Sequence, residues 1–366
     1  MEQGRISSRQ LAVLIIYFII GDMLLILPSL TISAAKQDGW LAGWVGFLIG
    51  WPIAWLLFRF SRLIPGLTLI QYNRRLLGKW VGGIVTLFYL YYYLVTTGVL
   101  VREVGDFFST QIFPEMPINA IHFMLIITLV WGIKCGLESI ARSGETFFPL
   151  YIFLFLALFL LLIPQAELVR LRPVMGEGVR AILHGSLYST TFTFCELNTV
   201  LMILPYVVNN NKTERDFLLG TFIGGMAICS IILLTILVIG PNLASSHLYA
   251  AYAAAQKINI GSFLQRVEAI LAINWILSTF FKTIVDFYAF LLGTAQFLNL
   301  RDHRQLAVPG GMLVFGAAFA VSANVVYFNY IVEYYIFWDL TCAVAIPLLL
   351  YIVYKFRSNS SALGSA

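Results

Sequence analysis

The feature that most constrains this chain is a series of apolar runs, each about as long as one membrane crossing. A helix needs about 20 apolar residues to span the hydrocarbon core of a bilayer, and runs of that kind recur ten times. They fall at residues 11–35, 40–58, 80–109, 117–134, 146–164, 181–208, 216–239, 266–298, 308–326 and 332–354. We number these predicted helices 1 to 10. The pattern predicts an all-α polytopic membrane protein with ten transmembrane helices.

Composition excludes the main alternatives to a membrane protein. Of the 366 residues, 60% are hydrophobic and 11% are charged, whereas soluble domains carry about 25% charged residues. The formal charge of +5 does not indicate nucleic-acid binding, because Lys and Arg occur in short groups between apolar runs. The four cysteines are far apart in apolar sequence, so we expect neither a disulfide framework nor a CxxC metal site.

The distribution of Lys and Arg predicts the orientation in the membrane. With a cytoplasmic N-terminus, 15 cations fall on the cytoplasmic side, six fall on the other side, and Arg102 and Lys282 lie within helices. Because cytoplasmic loops are enriched in Lys and Arg, both termini are predicted to be cytoplasmic. The first helix is long enough to span and ends without a small-x-small cleavage site, so we expect it to be retained.

A short sequence repeat divides the ten helices into two sets of five. Helix 1 contains LLILP at residues 24–28 and helix 6 contains LMILP at residues 201–205, an offset of 177 residues. The same offset carries helix 2 onto helix 7. An odd number of helices per half forces the second copy to be inverted, as in transporters built from 5+5 inverted repeats. We therefore predict two units, residues 1–178 with helices 1–5 and residues 179–366 with helices 6–10.

Helices 1 and 6 carry features typical of discontinuous helices. Gly21 and Asp22 interrupt helix 1 ahead of Pro28. Helix 6 has a polar, β-branched segment at residues 189–196 ahead of Pro205. Free amides at the start of one half-helix can hold a carboxylate and free carbonyls at the end of another can hold an ammonium, so the two breaks together suit an α-amino acid. The alternative is that the two prolines only kink continuous helices.

Glycines recur along one face of helix 2 and again in helix 7. They are Gly39, Gly43, Gly46 and Gly50 in helix 2, and Gly220, Gly224 and Gly225 in helix 7. Small residues at this spacing let backbones approach closely. We expect these faces to pack against helices 1 and 6.

Ionisable groups inside the helices are candidates for function, because each costs about 2.5–3.5 kcal/mol at a helix centre on insertion scales. The deepest are Asp22, Glu196, Lys282 and Asp286, and Arg102, Glu103 and Asp106 lie nearer the outer end of helix 3. Lys282 lies too deep for its stem to reach water and needs an internal partner. Asp286, one turn further on, is the partner that spacing offers. A buried ion-pair network that only fixes helix packing is the alternative to a binding role.

Patterns of catalytic or metal-binding residues are missing from the sequence. The four histidines are scattered without HExxH or paired cysteines, and no glycine pattern has the context of a phosphate-binding loop. We expect no enzyme, no metal and no cofactor. The tyrosines of helix 3, at positions 89 and 91–93, could line a pocket or only fill space between helices.

Several short motifs, in order, resemble one known family. They are LRPVMGEG at residues 171–178, DGW at 38–40, LGKW at 77–80, FPEMP at 113–117, Gly21 with LLILP in helix 1, and Glu196 ahead of LMILP. With the length and the ten-helix layout, the sequence resembles the B-subunits of spore nutrient germinant receptors, which are similar to the amino acid/polyamine/organocation transporters.

The resemblance implies a LeuT-like fold with a ligand pocket between helices 1, 3, 6 and 8. The site residues expected on this basis are Gly21, Asp22, Met23, Tyr93, Thr97, Thr193, Phe194, Cys195, Glu196, Thr279, Lys282 and Thr283. Sodium-coupled members of that fold place a sodium ion between helices 1 and 8, and the ammonium of Lys282 could take its place. The implied partners are a small nutrient, an A-subunit and a lipoprotein C-subunit, in the inner membrane of a spore. A proton-coupled amino acid symporter and a scaffold that binds nothing are the alternative functions.

Overall fold

The computed structural model describes residues 4–208, 210–258, 267–322 and 324–363, and in these ranges the chain is almost entirely helical. The α-helices are α1 (Ser8–Ile20), α2 (Met23–Ala35), α3 (Gly39–Ser61), α4 (Leu69–Phe107), α5 (Ile118–Cys135), α6 (Leu137–Leu162), α7 (Gly178–Phe194), α8 (Thr213–Ile239), α9 (Pro241–Ser246), α10 (Ala250–Gln256), α11 (Glu268–Phe297), α12 (Ala307–Ala320), α13 (Val325–Leu340) and α14 (Ile346–Leu363). The described residues form no strand, and one isolated bridge joins Ile6 to Val207.

Each predicted membrane helix corresponds to helical structure. α1 and α2 form helix 1, α3 to α6 form helices 2 to 5, α7 begins helix 6, α8 is helix 7, α11 is helix 8, α12 is helix 9, and α13 and α14 form helix 10. Seven continuous helical stretches of the described residues are long and apolar enough to cross a membrane, one of which joins α2 to α3. The predicted start of helix 8 at residue 266 lies outside the described residues.

Two helix boundaries differ from the sequence prediction, and two short helices were not predicted. α4 begins at Leu69 rather than at residue 80, because a polar helical turn continues into helix 3 through a bend at Gly78, whose φ is 79°. α6 begins at Leu137 rather than at residue 146, and its first turns carry charged side chains that point to solvent. The short helices α9 and α10, between helices 7 and 8, were not predicted, because segments of six and seven residues carry little periodic signal.

The glycine faces pack as expected. A Cβ atom on Gly46 would lie 2.5 Å from Cβ of Ser189 in α7, and one on Gly220 would lie 2.8 Å from the backbone of Ala12 in α1. The space beside Gly50 is likewise occupied by the ring of Phe194. The prediction that helices 2 and 7 use these faces against helices 1 and 6 is confirmed for most of the glycines, whereas Gly43 lies against Ile232 of helix 7.

Two extensive helix pairings correspond to each other under the sequence repeat. α3 lies against α7, which pairs helix 2 with helix 6, and α1 lies against α8, which pairs helix 1 with helix 7. The repeat relates helix 2 to helix 7 and helix 1 to helix 6, so the first pairing corresponds to the second. The division of the chain at residues 178 and 179 stays a prediction.

The loop between helices 5 and 6 is fastened to the corner between helices 1 and 2. The carboxylate of the buried Asp38 accepts hydrogen bonds from the amides of Met175, at 2.7 Å, and Glu177, at 3.3 Å. Amide bonds to a carboxylate are charge-assisted and stronger than neutral ones. Two of the motifs noted in the sequence, DGW and LRPVMGEG, therefore meet in the structure.

Candidate functional site

Helix 1 is broken where the sequence has Gly21 and Asp22. α1 ends at Ile20, Gly21 has φ 19° and ψ −129°, and α2 starts again at Met23 with Asp22 as its N-cap residue. Pro28 lies inside α2 without ending it. The interruption therefore arises at the Gly-Asp pair, and the alternative of a simple proline kink is wrong for this helix.

The break leaves backbone donors unused at the start of α2. The carbonyl of Asp22 accepts from the amides of Leu25 and Ile26, at 3.1 and 3.4 Å. Within the described residues, the amides of Met23 and Leu24 have no backbone acceptor. The first amides of a helix lack partners within it and lie at the positive end of its macrodipole. This end of α2 therefore suits an anionic group.

Helix 6 changes its geometry at the corresponding depth. α7 ends at Phe194, and Cys195–Met202 continue as a 3₁₀-helix in which every residue is buried. The hydroxyls of Ser189 and Thr190 donate to the carbonyls of Gly43 and Gly46 in α3, at 3.3 and 3.2 Å. These polar side chains hold helix 6 against helix 2. The change to 3₁₀ geometry places Glu196 beside the break in helix 1.

Lys282 joins the two breaks. Its Nζ lies 2.6 Å from Oδ1 of Asp22 and also forms an ion pair with Glu196, and all three side chains are buried. The sequence spacing offered Asp286 as the partner of Lys282, and that prediction is wrong. The two carboxylates come from residues 260 and 86 positions earlier in the chain, which local spacing does not reveal. Breaking such a buried pair by removing one partner typically costs about 3–5 kcal/mol.

Two further side chains of α11 bind the backbone at the break. Trp275 Nε1 donates to the carbonyl of Asp22 at 3.2 Å. The hydroxyl of Ser278 lies 3.2 Å from the carbonyl of Gly21 and shares its single proton with the carbonyls of Asn274 and Trp275 in its own helix, at 3.0 and 3.1 Å. Carbonyls that the interrupted helix 1 cannot pair internally are thus satisfied by helix 8. Helix 8 therefore contacts the break through the ion pair of Lys282 with Asp22, the hydrogen bond of Trp275, and the shared hydroxyl of Ser278.

A small cavity adjoins the ion cluster. It has a volume of about 30 Å³, roughly the share of one water molecule in the liquid, so this conformation has no room for an amino acid. Helices 1, 3, 6 and 10 line it, whereas the resemblance implied helices 1, 3, 6 and 8. The lining side chains are Asp22, Met23, Ile26, Leu30, Thr96, Val99, Leu100, Glu103, Phe192, Glu196, Val332 and Tyr335.

The cavity is acidic and contains unpaired polar atoms. Asp22, Glu103 and Glu196 contribute three carboxyl groups to its wall. Among the described residues, Thr96 Oγ1, Glu103 Oε2 and Tyr335 Oη have no hydrogen-bond partner. Buried polar atoms are normally paired, so these side chains are available to a polar ligand.

The structure brings only some of the expected site residues together. Asp22, Met23 and Glu196 line the cavity, and Gly21 and Lys282 lie directly behind it. The other expected residues are buried but do not line it: Tyr93, Thr97, Thr193, Phe194, Cys195, Thr279 and Thr283. Thr97 and Thr283 donate back to helical carbonyls four residues earlier, both at 2.7 Å.

Several cavity residues were not expected in the site. Glu103 was recognised as ionisable but was placed at the outer end of helix 3, and Thr96, Phe192 and Tyr335 were not considered. Thr96 and Glu103 are seven residues apart and so share one face of α4, a spacing that could have identified them. Tyr335 could not have been found this way, because it comes from helix 10 at the far end of the chain.

The tyrosines of helix 3 mainly join it to helix 10. Tyr89 Oη donates to the carbonyl of Cys342 at 2.7 Å, and Tyr92 Oη donates to Oδ1 of Asp339 at 2.9 Å. Tyr91 is 59% exposed and faces outward. The packing alternative therefore describes most of this run better than a pocket-lining role.

The fold defines the chain as a helical membrane protein with a LeuT-like fold. Mhp1, a nucleobase-cation-symport-1 family transporter solved in a closed conformation with bromovinylhydantoin bound, has a similar fold, with a TM-score of 0.69. The match covers 94% of this chain and 77% of that one, at 12% sequence identity.

The family is defined by sequence comparison. Residues 5–326 match the family model described as spore germination protein, and the chain belongs to that family. It is 26% identical to spore germination protein KB of Bacillus subtilis, over 88% of this chain and 87% of that protein. It is also 26% identical to spore germination protein GerLB of Bacillus cereus, over 97% and 96% of the two chains. With such relatives and a transporter fold, the chain is a multi-pass membrane protein and not an enzyme.

Proposed function

We propose that this chain is the transporter-like B-subunit of a spore nutrient germinant receptor and binds an amino acid or a similar small nutrient at the breaks in helices 1 and 6. The observation that carries the proposal is the contact of Lys282 with both Asp22 and Glu196, beside the unused amides of α2. A zwitterionic ligand needs both an anionic and a cationic contact, and the two breaks supply them within one site.

The two ends of the ligand are assigned by charge. Its carboxylate binds the amides of Met23 and Leu24 at the start of α2. Its ammonium binds the acidic wall formed by Asp22, Glu196 and Glu103. The ligand's ammonium therefore competes with Lys282 for the same carboxylates.

Ligand binding acts as a signal by changing the balance between conformations. The cavity must widen to admit an amino acid, so the ligand binds a conformation other than the closed one. The change is read by partner subunits, an A-subunit and a lipoprotein C-subunit, in the inner membrane of a spore. Both termini of the chain lie in the cytoplasm, which agrees with the excess of Lys and Arg in the loops on that side.

The alternative function is a proton-coupled symporter that imports an amino acid. Its supporting observation is the likeness of the fold to Mhp1, itself a transporter. The alternatives differ in one measurable quantity, net flux of the ligand across a bilayer.

The test uses the purified full chain. Each of the 20 L-amino acids is screened for a rise in melting temperature, and the amino acids that stabilise the protein are then measured as radiolabelled ligands, in detergent for binding and in proteoliposomes for uptake. Binding without uptake supports the receptor, and uptake supports the symporter. Glu196→Gln should abolish the stabilisation. Glu145→Gln, which removes a carboxylate paired with Arg9 outside the membrane core, is the control. If no amino acid stabilises the protein, the proposed ligand class is wrong.

A further inference from the structure

Asp286 is a fully buried carboxyl group that the ligand site does not use. Its side chain is 0% exposed, and neither of its oxygens has a hydrogen-bond partner among the described residues. The buried hydroxyl of Thr199 approaches Asp286 without forming a hydrogen bond of ordinary distance and angle. An ionised carboxylate with no partner in such a place would cost many kcal/mol.

The groups that face Asp286 come from several helices. Lys282 lies one turn earlier on the same helix, α11, while Asp22 and Glu196 approach from the breaks in helices 1 and 6. Tyr92 and Tyr93 of α4 are close enough to interact with it electrostatically. The hydroxyl of Tyr92 is already donated to Asp339 of helix 10. Lys282 is the one cation in this set, and its ammonium contacts Asp22 and Glu196.

A charge count for the region shows that protons are needed. The buried carboxyl groups of the described residues around the breaks are Asp22, Glu103, Glu196, Asp286 and Asp339. Lys282 is the single cation among them, because Arg102 is paired with Asp106 at 2.8 Å. Full ionisation would leave four uncompensated negative charges in the membrane interior, which the low dielectric forbids.

Of these five carboxyl groups, Asp286 is the best placed to carry a proton. Asp22 and Glu196 contact Lys282, Asp339 accepts from Tyr92, and Glu103 lines the cavity. A protonated carboxyl group is a donor, and the unpaired oxygen of Thr199 is an acceptor beside it. We propose that Asp286 is a proton-binding site, separate from the ligand cavity, which holds a proton when Lys282 is bound to Asp22 and Glu196.

The site couples ligand binding to the release of a proton. This step rests on the proposed function. When the ligand's ammonium displaces Lys282 from Asp22 and Glu196, the lysine needs another anion. The i,i+4 spacing on α11 places Asp286 within its reach. The O–H bond of Asp286 then breaks, the proton passes to solvent, and the carboxylate pairs with the ammonium of Lys282. Binding one ligand therefore releases one proton.

The proton site is tested without any ligand. Infrared spectra of the purified protein at neutral pH should contain carbonyl bands of protonated carboxyl groups, and the difference between the wild type and Asp286→Asn should contain one such component. Asp339→Asn is the matched control, a carboxyl group of the same region that accepts from Tyr92, and should keep that component. If Asp286→Asn loses no component of the wild-type band, or if Asp339→Asn loses the same component, the proton is not on Asp286 and the proposal is overturned.

Thermal stability supplies a second measurement. A native state that keeps Asp286 neutral holds one more proton than the unfolded chain, in which Asp titrates near pH 3.9. The melting temperature of the wild type should therefore fall between about pH 5 and about pH 8, and Asp286→Asn should fall less. If Asp286→Asn does not fold, Asp286→Glu should retain a protonated band at a shifted frequency. An unshifted band in Asp286→Glu, or stabilisation by Na⁺ or K⁺ that requires Asp286, contradicts the proposal.

The coupling step is tested with an L-amino acid from the panel that stabilises the protein. Its addition should reduce the carboxyl band of the wild type and release one proton into a weakly buffered solution. A band unchanged by an amino acid that binds overturns the coupling. If no amino acid binds, the proposed function fails, while the ligand-free spectra still decide whether Asp286 carries a proton.

Discussion

The side-chain stem of Lys282 lies directly against Gly21 at the break in helix 1. A Cβ atom on Gly21 would lie 2.6 Å from Cδ and 3.3 Å from Cβ of Lys282, so the lysine stem runs alongside the glycine on its way to Asp22. Ser278, one turn earlier on α11, contacts the Gly21 carbonyl. The missing side chain at Gly21 is what allows a lysine on helix 8 to reach the carboxylates of helices 1 and 6.

Gly21→Ala should therefore weaken ligand binding by displacing the stem of Lys282. We expect at least a tenfold rise in Kd, about 1.4 kcal/mol, measured with the radiolabelled amino acid. Gly21→Leu should abolish binding, because the larger side chain adds steric overlap with the lysine. Gly316→Ala is the control, since a Cβ atom on Gly316 meets no atom within 4 Å. Wild-type affinity in Gly21→Ala would contradict the assignment.

Glu196→Gln should separate charge from shape at the break in helix 6. The substitution keeps the side-chain volume and removes one of the two anions that contact Lys282. We expect at least tenfold weaker binding at every pH tested, because the ligand's ammonium loses the same anion. Binding is measured from about pH 5 to about pH 8, the range over which a perturbed carboxyl group can titrate. An unchanged response across that range would leave Glu196 with a packing role only.

Lys282→Met should destabilise the protein more than a surface substitution does. It leaves Asp22 and Glu196 buried without their cation, at a cost of about 3–5 kcal/mol. The double variant Lys282→Met, Glu196→Gln removes one of the stranded anions and should recover part of the melting temperature. The readout is thermal unfolding in detergent. A double variant less stable than Lys282→Met would show that the ion cluster is not the source of the loss.

Ligand binding should not depend on sodium. The ammonium of Lys282 already supplies a positive charge between helices 1 and 8, where the resemblance implied that a sodium-coupled relative would hold its ion. Kd values measured in sodium chloride and in choline chloride should agree. A Kd at least tenfold lower in sodium would contradict this role of Lys282.

Asp38→Ala should loosen the loop between helices 5 and 6. The buried carboxylate accepts hydrogen bonds from the amides of Met175 and Glu177. A hydrogen bond to a charged group contributes about 1.5–3 kcal/mol to stability. Amide hydrogen exchange in residues 171–178 should accelerate while exchange in α11 stays as in the wild type. Asp302→Ala, in the short turn between α11 and α12, is the control. Unchanged exchange in the loop would contradict the fastening role of Asp38.

The sequence was most informative where one residue decides local structure. A Gly-Asp pair inside an apolar run predicted the break in helix 1, and a polar, β-branched segment predicted the disturbance of helix 6, because both effects depend on nearby backbone groups. The partner of Lys282 was missed, because Asp22 and Asp286 are equally plausible chemically and only the tertiary fold brings Asp22 close. The contribution of Tyr335 depends on the packing of helix 10, which no local spacing reports.

The glycine contacts between α3 and α7 determine how a signal can leave the site. Ser189 and Phe194 occupy the spaces that side chains on Gly46 and Gly50 would fill, and the hydroxyl of Ser189 binds a carbonyl of α3. Sliding one helix along the other would press these side chains against the α3 backbone, so we expect helices 2 and 6 to move as a unit. We expect a displacement that starts at Glu196 to shift the outer face of α3, where Leu48 is 67% exposed. A neighbouring subunit or lipid on that face would then contact α3 in a different position when the ligand is bound.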